Sequence, residues 1–82
     1  MEIEKLYALF LSSKGVTTDT RTCADGLIFF ALKGERFNGN SFALQALEKG
    51  CSYAVIDETE YYDSANNQLI LVDNVLLTLQ EL

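Results

Sequence analysis

The chain has 82 residues and a mass of 9.1 kDa, enough for one small domain and too little for a self-contained multidomain enzyme. Its composition, 49% hydrophobic with no proline and five glycines, excludes collagen-like, low-complexity and disordered classes. A net charge of −6 makes nucleic acid and anionic membrane poor partners. Lys14, Arg21, Lys33 and Arg36 nevertheless outnumber Asp19, Asp25 and Glu35 between residues 14 and 36, so a small anionic ligand is expected near that stretch.

Ile3, Leu6, Tyr7, Phe10 and Leu11 recur at helical spacing, which predicts a helix ending at Ser12-Ser13-Lys14-Gly15 with those five residues on its inner face. Val16-Thr17-Thr18 is β-branched and reads as a short strand, followed by a polar loop, Asp19-Thr20-Arg21-Thr22. Residues 27–32 form an unbroken apolar run between Asp25-Gly26 and Lys33-Gly34, the mark of a strand buried on both faces, with Phe29 and Phe30 in the core.

Asn40 and Ser41 are expected to cap a helix whose Phe42, Ala43, Ala46 and Leu47 share one side, with Lys49 in its last turn and Gly50 just beyond. Tyr53-Ala54-Val55-Ile56 reads as a second buried strand. Residues 58–68 read as an exposed connection with a little local helix at the two tyrosines. Leu69-Ile70-Leu71-Val72 is a third apolar strand, and Asp73 or Asn74 can cap a helix that packs Val75, Leu76, Leu79 and Leu82 inward. The order of elements predicts an α/β fold, a small open sheet at least partly parallel and flanked by helices. The helical pattern stops in mid-course at Leu82, which suggests the front portion of a longer protein.

The sequence contains no GxxxxGK[ST] loop, no GxGxxG and no histidine, so no machinery for nucleotide hydrolysis or hydride transfer is legible and no catalytic residue is assigned. Cys23 and Cys51 lack CxxC spacing and read as free, packed thiols. Neither a signal peptide nor a membrane span is recognisable, and a cytoplasmic monomer is the expectation.

Two polar segments flank the central strand, residues 17–21 before it and 33–40 after it, and can converge on one ligand. The second leaves the carboxyl end of a buried strand and enters a helix, the place where open sheets bind anions. Gly34 and Gly39 permit close backbone approach, while Lys33 and Arg36 supply charge. Plainer readings stand beside these. Asp19 and Arg21 can pair with each other and fix the loop, which is favoured over ligand contact. Gly34 and Gly39 can serve turns only, Phe37 can plug the core, and Asn40 can be a cap.

Val16-Thr17-Thr18-Asp19-Thr20-Arg21, then Gly26-Leu27-Ile28-Phe29-Phe30-Ala31-Leu32-Lys33-Gly34-Glu35-Arg36-Phe37-Asn38-Gly39-Asn40-Ser41-Phe42, closely resemble the N-terminal domain of the Mur ligases. Ala46, Gly50-Cys51, Val55-Ile56 and the run from Leu71 through Leu79 continue the match. The chain departs from the family pattern at Asn38 and Asn40, where aspartate and histidine are usual, and at Asp25, where proline is usual.

The resemblance implies a domain spanning residues 1–82 that holds the UDP end of UDP-N-acetylmuramoyl-tripeptide, within a three-domain, ATP-dependent enzyme of peptidoglycan precursor synthesis. It implies contacts from Thr20, Arg21, Lys33, Gly34, Arg36, Asn38 and Asn40. The fragment by itself is expected to be non-catalytic and to hold no cofactor. ATP and magnesium would be bound elsewhere in the whole enzyme, which would form an acyl phosphate for attack by the amine of D-alanyl-D-alanine. Two alternatives stay open: the branch of the family that adds the third peptide residue, and a non-catalytic acidic interaction module using a surface such as Tyr61-Tyr62.

Overall fold

The computed structural model describes residues 3–35 and 37–81. Its strands are β1 (Gly15–Thr17), β2 (Leu27–Phe30), β3 (Tyr53–Ile56) and β4 (Leu69–Leu71), and its helices α1 (Ile3–Ser12), α2 (Ala43–Glu48) and α3 (Val75–Glu81). Short 3-10 turns occupy Thr20–Thr22, Gly39–Phe42 and Thr59–Tyr61. The sheet runs in the order β1-β2-β3-β4 and every neighbouring pair is parallel. All four strands therefore present their carboxyl ends at one edge.

The apolar runs are buried on both faces, as expected of a parallel sheet covered by helices. Successive residues alternate between two cores. Phe29, Ala31, Ala54, Ile56 and Leu69 pack with Ala43 and Ala46 of α2 and with Cys51, while Ile28, Phe30, Val55 and Ile70 pack with Leu6 of α1 and Val75 of α3. Alanines on both sides of the first core let α2 lie close to β3. Gly50 ends α2 at φ +115°, a conformation that costs a glycine little.

Several expectations are corrected. On α1 the inward residues are Leu6, Leu9 and Phe10, whereas Tyr7 and Leu11 are exposed, because the sheet covers a narrower stripe than the apolar spacing offered. Of the Ile3 side chain nothing is described. The residue capping the turn before α2 is Asn38, whose Oδ1 accepts the N–H of Asn40, and Phe42 turns outward instead of sharing the side of Ala43 and Ala46. The reason is the 3-10 turn, which offsets Phe42 from the face of the α-helix that follows. Phe37 is exposed, not a core plug.

On α3 Val75 and Leu79 face the core and Leu76 faces out, while Leu82 lies outside the described residues. Asn74 rather than Asp73 supplies the cap, its Oδ1 accepting the Leu77 N–H at 3.0 Å. Both cysteines are free thiols, Cys51 buried and Cys23 partly so. No described helix is long and apolar enough to cross a membrane.

Candidate functional site

The carboxyl edge of the sheet gathers the polar segments that flank β2. The first is a self-bonded loop. Thr17, 8% exposed, accepts the Asp19 N–H and shares a short hydrogen bond with the Thr22 hydroxyl, so its buried oxygen is satisfied within the loop. Asp19 caps the turn Thr20–Thr22 by accepting the Arg21 N–H at 2.8 Å. The Arg21 guanidinium returns to the same carboxylate at 2.7 Å. That hydrogen-bonded pairing holds the Asp19 carboxyl down at about 2. The favoured sequence reading, a pair that fixes its own loop, is what the structure contains.

The second segment folds back on itself. Lys33 and Asn38 form an antiparallel bridge, and the Gly34 N–H donates to the Phe37 carbonyl at 2.9 Å. Gly34 lies beneath the Phe37 ring, and Gly39 lies against the backbone of Leu32, where a Cβ would stand 2.5 Å from the carbonyl oxygen. Gly39 is required by backbone packing, whereas a side chain at Gly34 would have to displace the exposed Phe37 ring. Arg36, named as a contact from the sequence, lies outside the described residues.

Between the two segments opens a cleft of about 360 Å³, lined by Thr18, Asp19, Thr20, Phe29, Phe37, Gly39 and Phe42. Phe37 is 59% exposed and Phe42 41%, an unusual exposure for phenylalanine, and their rings flank a space open to solvent. The hydroxyls of Thr18 and Thr20 are engaged by no other described residue and are free to meet a ligand. The cleft thus offers aromatic surface on one side and hydroxyl groups on the other, which suits a planar polar ring carrying a hydrophilic extension.

The remaining sequence candidates face the neighbouring strand end. Asn40, 1% exposed, donates from Nδ2 to Asn38 Oδ1 and Asp57 Oδ1, and its Oδ1 accepts the N–H groups of Asp57 and Glu58. Asn38 donates to the Glu58 carboxylate through a short hydrogen bond. The Lys33 ammonium stands 3.3 Å from Asp57 and 3.4 Å from Glu58, and its bond to Asp57 raises its pKa above the usual lysine range. Thr20 and Gly39 line the cleft, Arg21 and Lys33 are paired with carboxylates, and Asn38 and Asn40 knit the edge together from behind.

Thr18 was picked only as part of the polar segment 17–21, and Phe42, Asp57 and Glu58 were not among the contacts picked from the sequence. An acidic pair directly after the apolar run of β3 was the available signal for the last two, since a carboxylate at the end of a buried parallel strand sits where the binding edge forms. A larger hollow of about 460 Å³ lies between β4 and α3, but its lining includes Asp73 and Glu81 and no basic residue, which disfavours an anion there.

Residues 12–82 match the model of the Mur ligase family, catalytic domain. Over 68 residues the chain is 44% identical to the UDP-N-acetylmuramoyl-tripeptide–D-alanyl-D-alanine ligase of Bacillus subtilis, covering 83% of this chain and 15% of that protein. Its counterpart in Escherichia coli is 43% identical over 72 residues, covering 88% of this chain and 16% of that protein. The UDP-N-acetylmuramoyl-L-alanyl-D-glutamate–2,6-diaminopimelate ligase of Aquifex aeolicus is 44% identical over 45 residues, covering 55% and 9%.

A crystal structure of MurF from Acinetobacter baumannii superposes with a TM-score of 0.73 at 26% identity, covering 98% of this chain and 19% of that one. MurF from Thermotoga maritima, solved in complex with ADP, shares the fold at a TM-score of 0.74 and 24% identity, covering 88% and 16%. The chain spans about 15% of the length of the D-alanyl-D-alanine-adding relatives it matches. On a family match that takes in every strand and the whole carboxyl edge, the chain belongs to the Mur ligase family.

Proposed function

We propose that these residues are the substrate-binding N-terminal domain of a three-domain ATP-dependent ligase that adds D-alanyl-D-alanine to UDP-N-acetylmuramoyl-tripeptide in peptidoglycan precursor synthesis. The observation that carries this reading is the cleft between the ends of β1 and β2, formed by the same two segments that bear the family resemblance. The uracil ring would lie against Phe37 and Phe42. The hydroxyls of Thr18 and Thr20 would meet the ribose and diphosphate, and Arg36, which precedes Phe37 in the sequence, is proposed from the family resemblance to add positive charge.

The roles of the seven residues named from the sequence divide on this reading. Thr20 and the backbone at Gly34 shape or touch the ligand's surroundings, Arg21 and Lys33 lend charge from within ion pairs, Arg36 is a charged contact proposed from the resemblance alone, and Asn38 and Asn40 act from behind the wall. The protein is proposed to work in the cytoplasm as a monomer, without nucleic acid or membrane as partner.

ATP and magnesium would serve the whole enzyme by activating the peptide carboxylate. Among the described residues no three His, Cys, Asp or Glu side chains converge as ligands for a metal ion, and the sequence has no phosphate loop, so the donor set present does not fit them. The part of this chain is confined to holding the nucleotide end of the substrate.

A second reading is favoured by the match to diaminopimelate-adding ligases, in which the same cleft would hold a UDP-muramoyl-dipeptide. Amide NMR titration of the 82-residue chain with UDP and then with UDP-N-acetylmuramoyl-tripeptide tests the cleft. Shifts confined to residues 18–21 and 33–42 are expected, and a dispersed spectrum that moves for neither ligand at millimolar concentration refutes the assignment. Assaying the full-length enzyme for the amine it ligates separates the two branches.

A further inference from the structure

The cleft and α3 share no lining residue, yet one run of hydrogen bonds joins them. Gly39 forms part of the cleft wall, and its N–H is tied to the Leu32 carbonyl at 2.8 Å. The next residue, Asn40, is buried and reaches the end of β3. Its Nδ2 donates to Asp57 Oδ1 at 3.0 Å, and its Oδ1 accepts the Asp57 N–H at 2.9 Å. The other carboxylate oxygen of Asp57, Oδ2, accepts the N–H of Val75 at 3.0 Å. Val75 is the first residue of α3 and lies in the core with Leu6, Ile28 and Phe30.

We infer that Asn40 and Asp57 are positioning residues that couple occupancy of the nucleotide cleft to the seating of α3, an inference that rests on the function proposed above. The wall at Gly39 has no slack, since its backbone is packed on Leu32. A ligand that shifts or stiffens this wall therefore acts on the whole turn Gly39–Phe42, and Asn40 is part of that turn. Asn40 grips Asp57 by backbone and side chain together, so it cannot move without turning the carboxylate. One oxygen of that rigid group faces Asn40 and Lys33, the other faces α3. Hydrogen bonds to an ionised carboxylate are strong and directional, which lets a displacement at one oxygen be felt at the other. Coupling of this kind is reciprocal: a ligand that tightens α3 is itself bound more tightly when α3 is seated.

The test is amide hydrogen exchange by NMR on the whole 82-residue chain, with UDP as the probe. Exchange at Val75, Leu76 and Leu77 is read relative to α1, which packs on the same core but lacks the link to Asp57, so that general stabilisation by ligand cancels. In the native chain saturating UDP should slow Val75 exchange about fivefold or more beyond α1. The variant Asn40→Asp keeps acceptors for the Asp57 and Glu58 N–H groups but replaces the amide donated to Asp57 with a carboxyl group that repels it when both are ionised. It should raise Val75 exchange without ligand and abolish the response to UDP.

Asn74→Ala removes the acceptor for the Leu77 N–H and loosens α3 by another route. Its Val75 amide should still respond to UDP, an outcome that a purely structural role for Asn40 and Asp57 does not require. Should Asn40→Asp fail to fold, Asp57→Asn, which leaves one uncharged acceptor oxygen for the three donors from Asn40, Lys33 and Val75, is read in the same way. UDP shifts at Thr18, Thr20 and Gly39 without any change at Val75 would overturn the coupling and leave the binding site standing. No UDP shifts at all would overturn the binding reading and with it the coupling to occupancy, and raised Val75 exchange in Asn40→Asp would then show only a structural link between Asn40 and α3.

Discussion

The Lys33 ammonium lies 3.3 Å from Oδ1 of Asp57, the same oxygen that accepts the Asn40 amide, so one carboxylate ties the loop after β2 to the end of β3. Burial is the largest single influence on Asp57 and pushes its carboxyl up. The Val75 N–H, the Asn40 amide and Lys33 together outweigh it, and the group titrates below its ordinary value of 3.8. The folded state therefore binds fewer protons than the unfolded state. The stability that Asp57 contributes is full above about pH 4 and is lost as pH falls through its lowered value. Urea unfolding followed at a series of acidic pH values should show this loss, and Asp57→Asn should flatten it.

Asn40→Ala should destabilise the fold by about 3 kcal/mol, because it strands the N–H groups of Asp57 and Glu58 at a buried site. For a domain of this size that is a fall in Tm of more than about 10 °C. Thermal unfolding followed by circular dichroism measures it, and a change within about 2 °C contradicts the bonding described.

Gly39→Ala should cost about 2–3 kcal/mol, since its new methyl group would press on the Leu32 backbone, which cannot rotate away as a side chain can. In Gly34→Ala the nearest atoms to the new methyl group belong to the Phe37 ring, which is exposed and can swing aside. The smaller loss expected there, read from urea midpoints of the two variants, distinguishes backbone packing from a general need for glycine.

Phe37→Ala and Phe42→Ala should leave the fold intact, as both rings are substantially exposed, and weaken UDP binding. Loss of one stacking surface is worth about 1–3 kcal/mol, or roughly fivefold to a hundredfold in Kd. Titration of both variants by NMR gives the affinity and the retained fold in one experiment. Unchanged affinity in both would remove the aromatic walls from the site.

Burial and the neighbouring Cys51 thiol push the Cys23 thiol up to about 12, so little of it is thiolate near neutral pH. Alkylation of Cys23 in the folded chain should be slower than in urea by at least about a hundredfold. Peptide mass spectrometry after timed labelling reports each cysteine separately.

Much of this was legible in the sequence because the strands of a covered parallel sheet are continuous apolar runs. Residues 27–32, 53–56 and 69–72 announced themselves in that way, and Gly50 marked the end of α2 through its lack of a Cβ. The motif segments around Asp19-Thr20-Arg21 and residues 33–42 were likewise readable, since their order along the chain carries the family resemblance.

Only the tertiary structure decided what those polar residues face. Asn40 and Lys33 looked like ligand contacts, and folding turns them toward Asp57 and Glu58, residues 17 to 25 positions away that no local pattern pairs with them. Phe37 could be read either as a core plug or as part of the ligand segment, and it stands exposed at the mouth of the cleft. Periodicity records which faces of an element are apolar, whereas the partner of a buried amide or carboxylate is fixed by strand order and register, and these exist only once β2, β3 and α3 have come together.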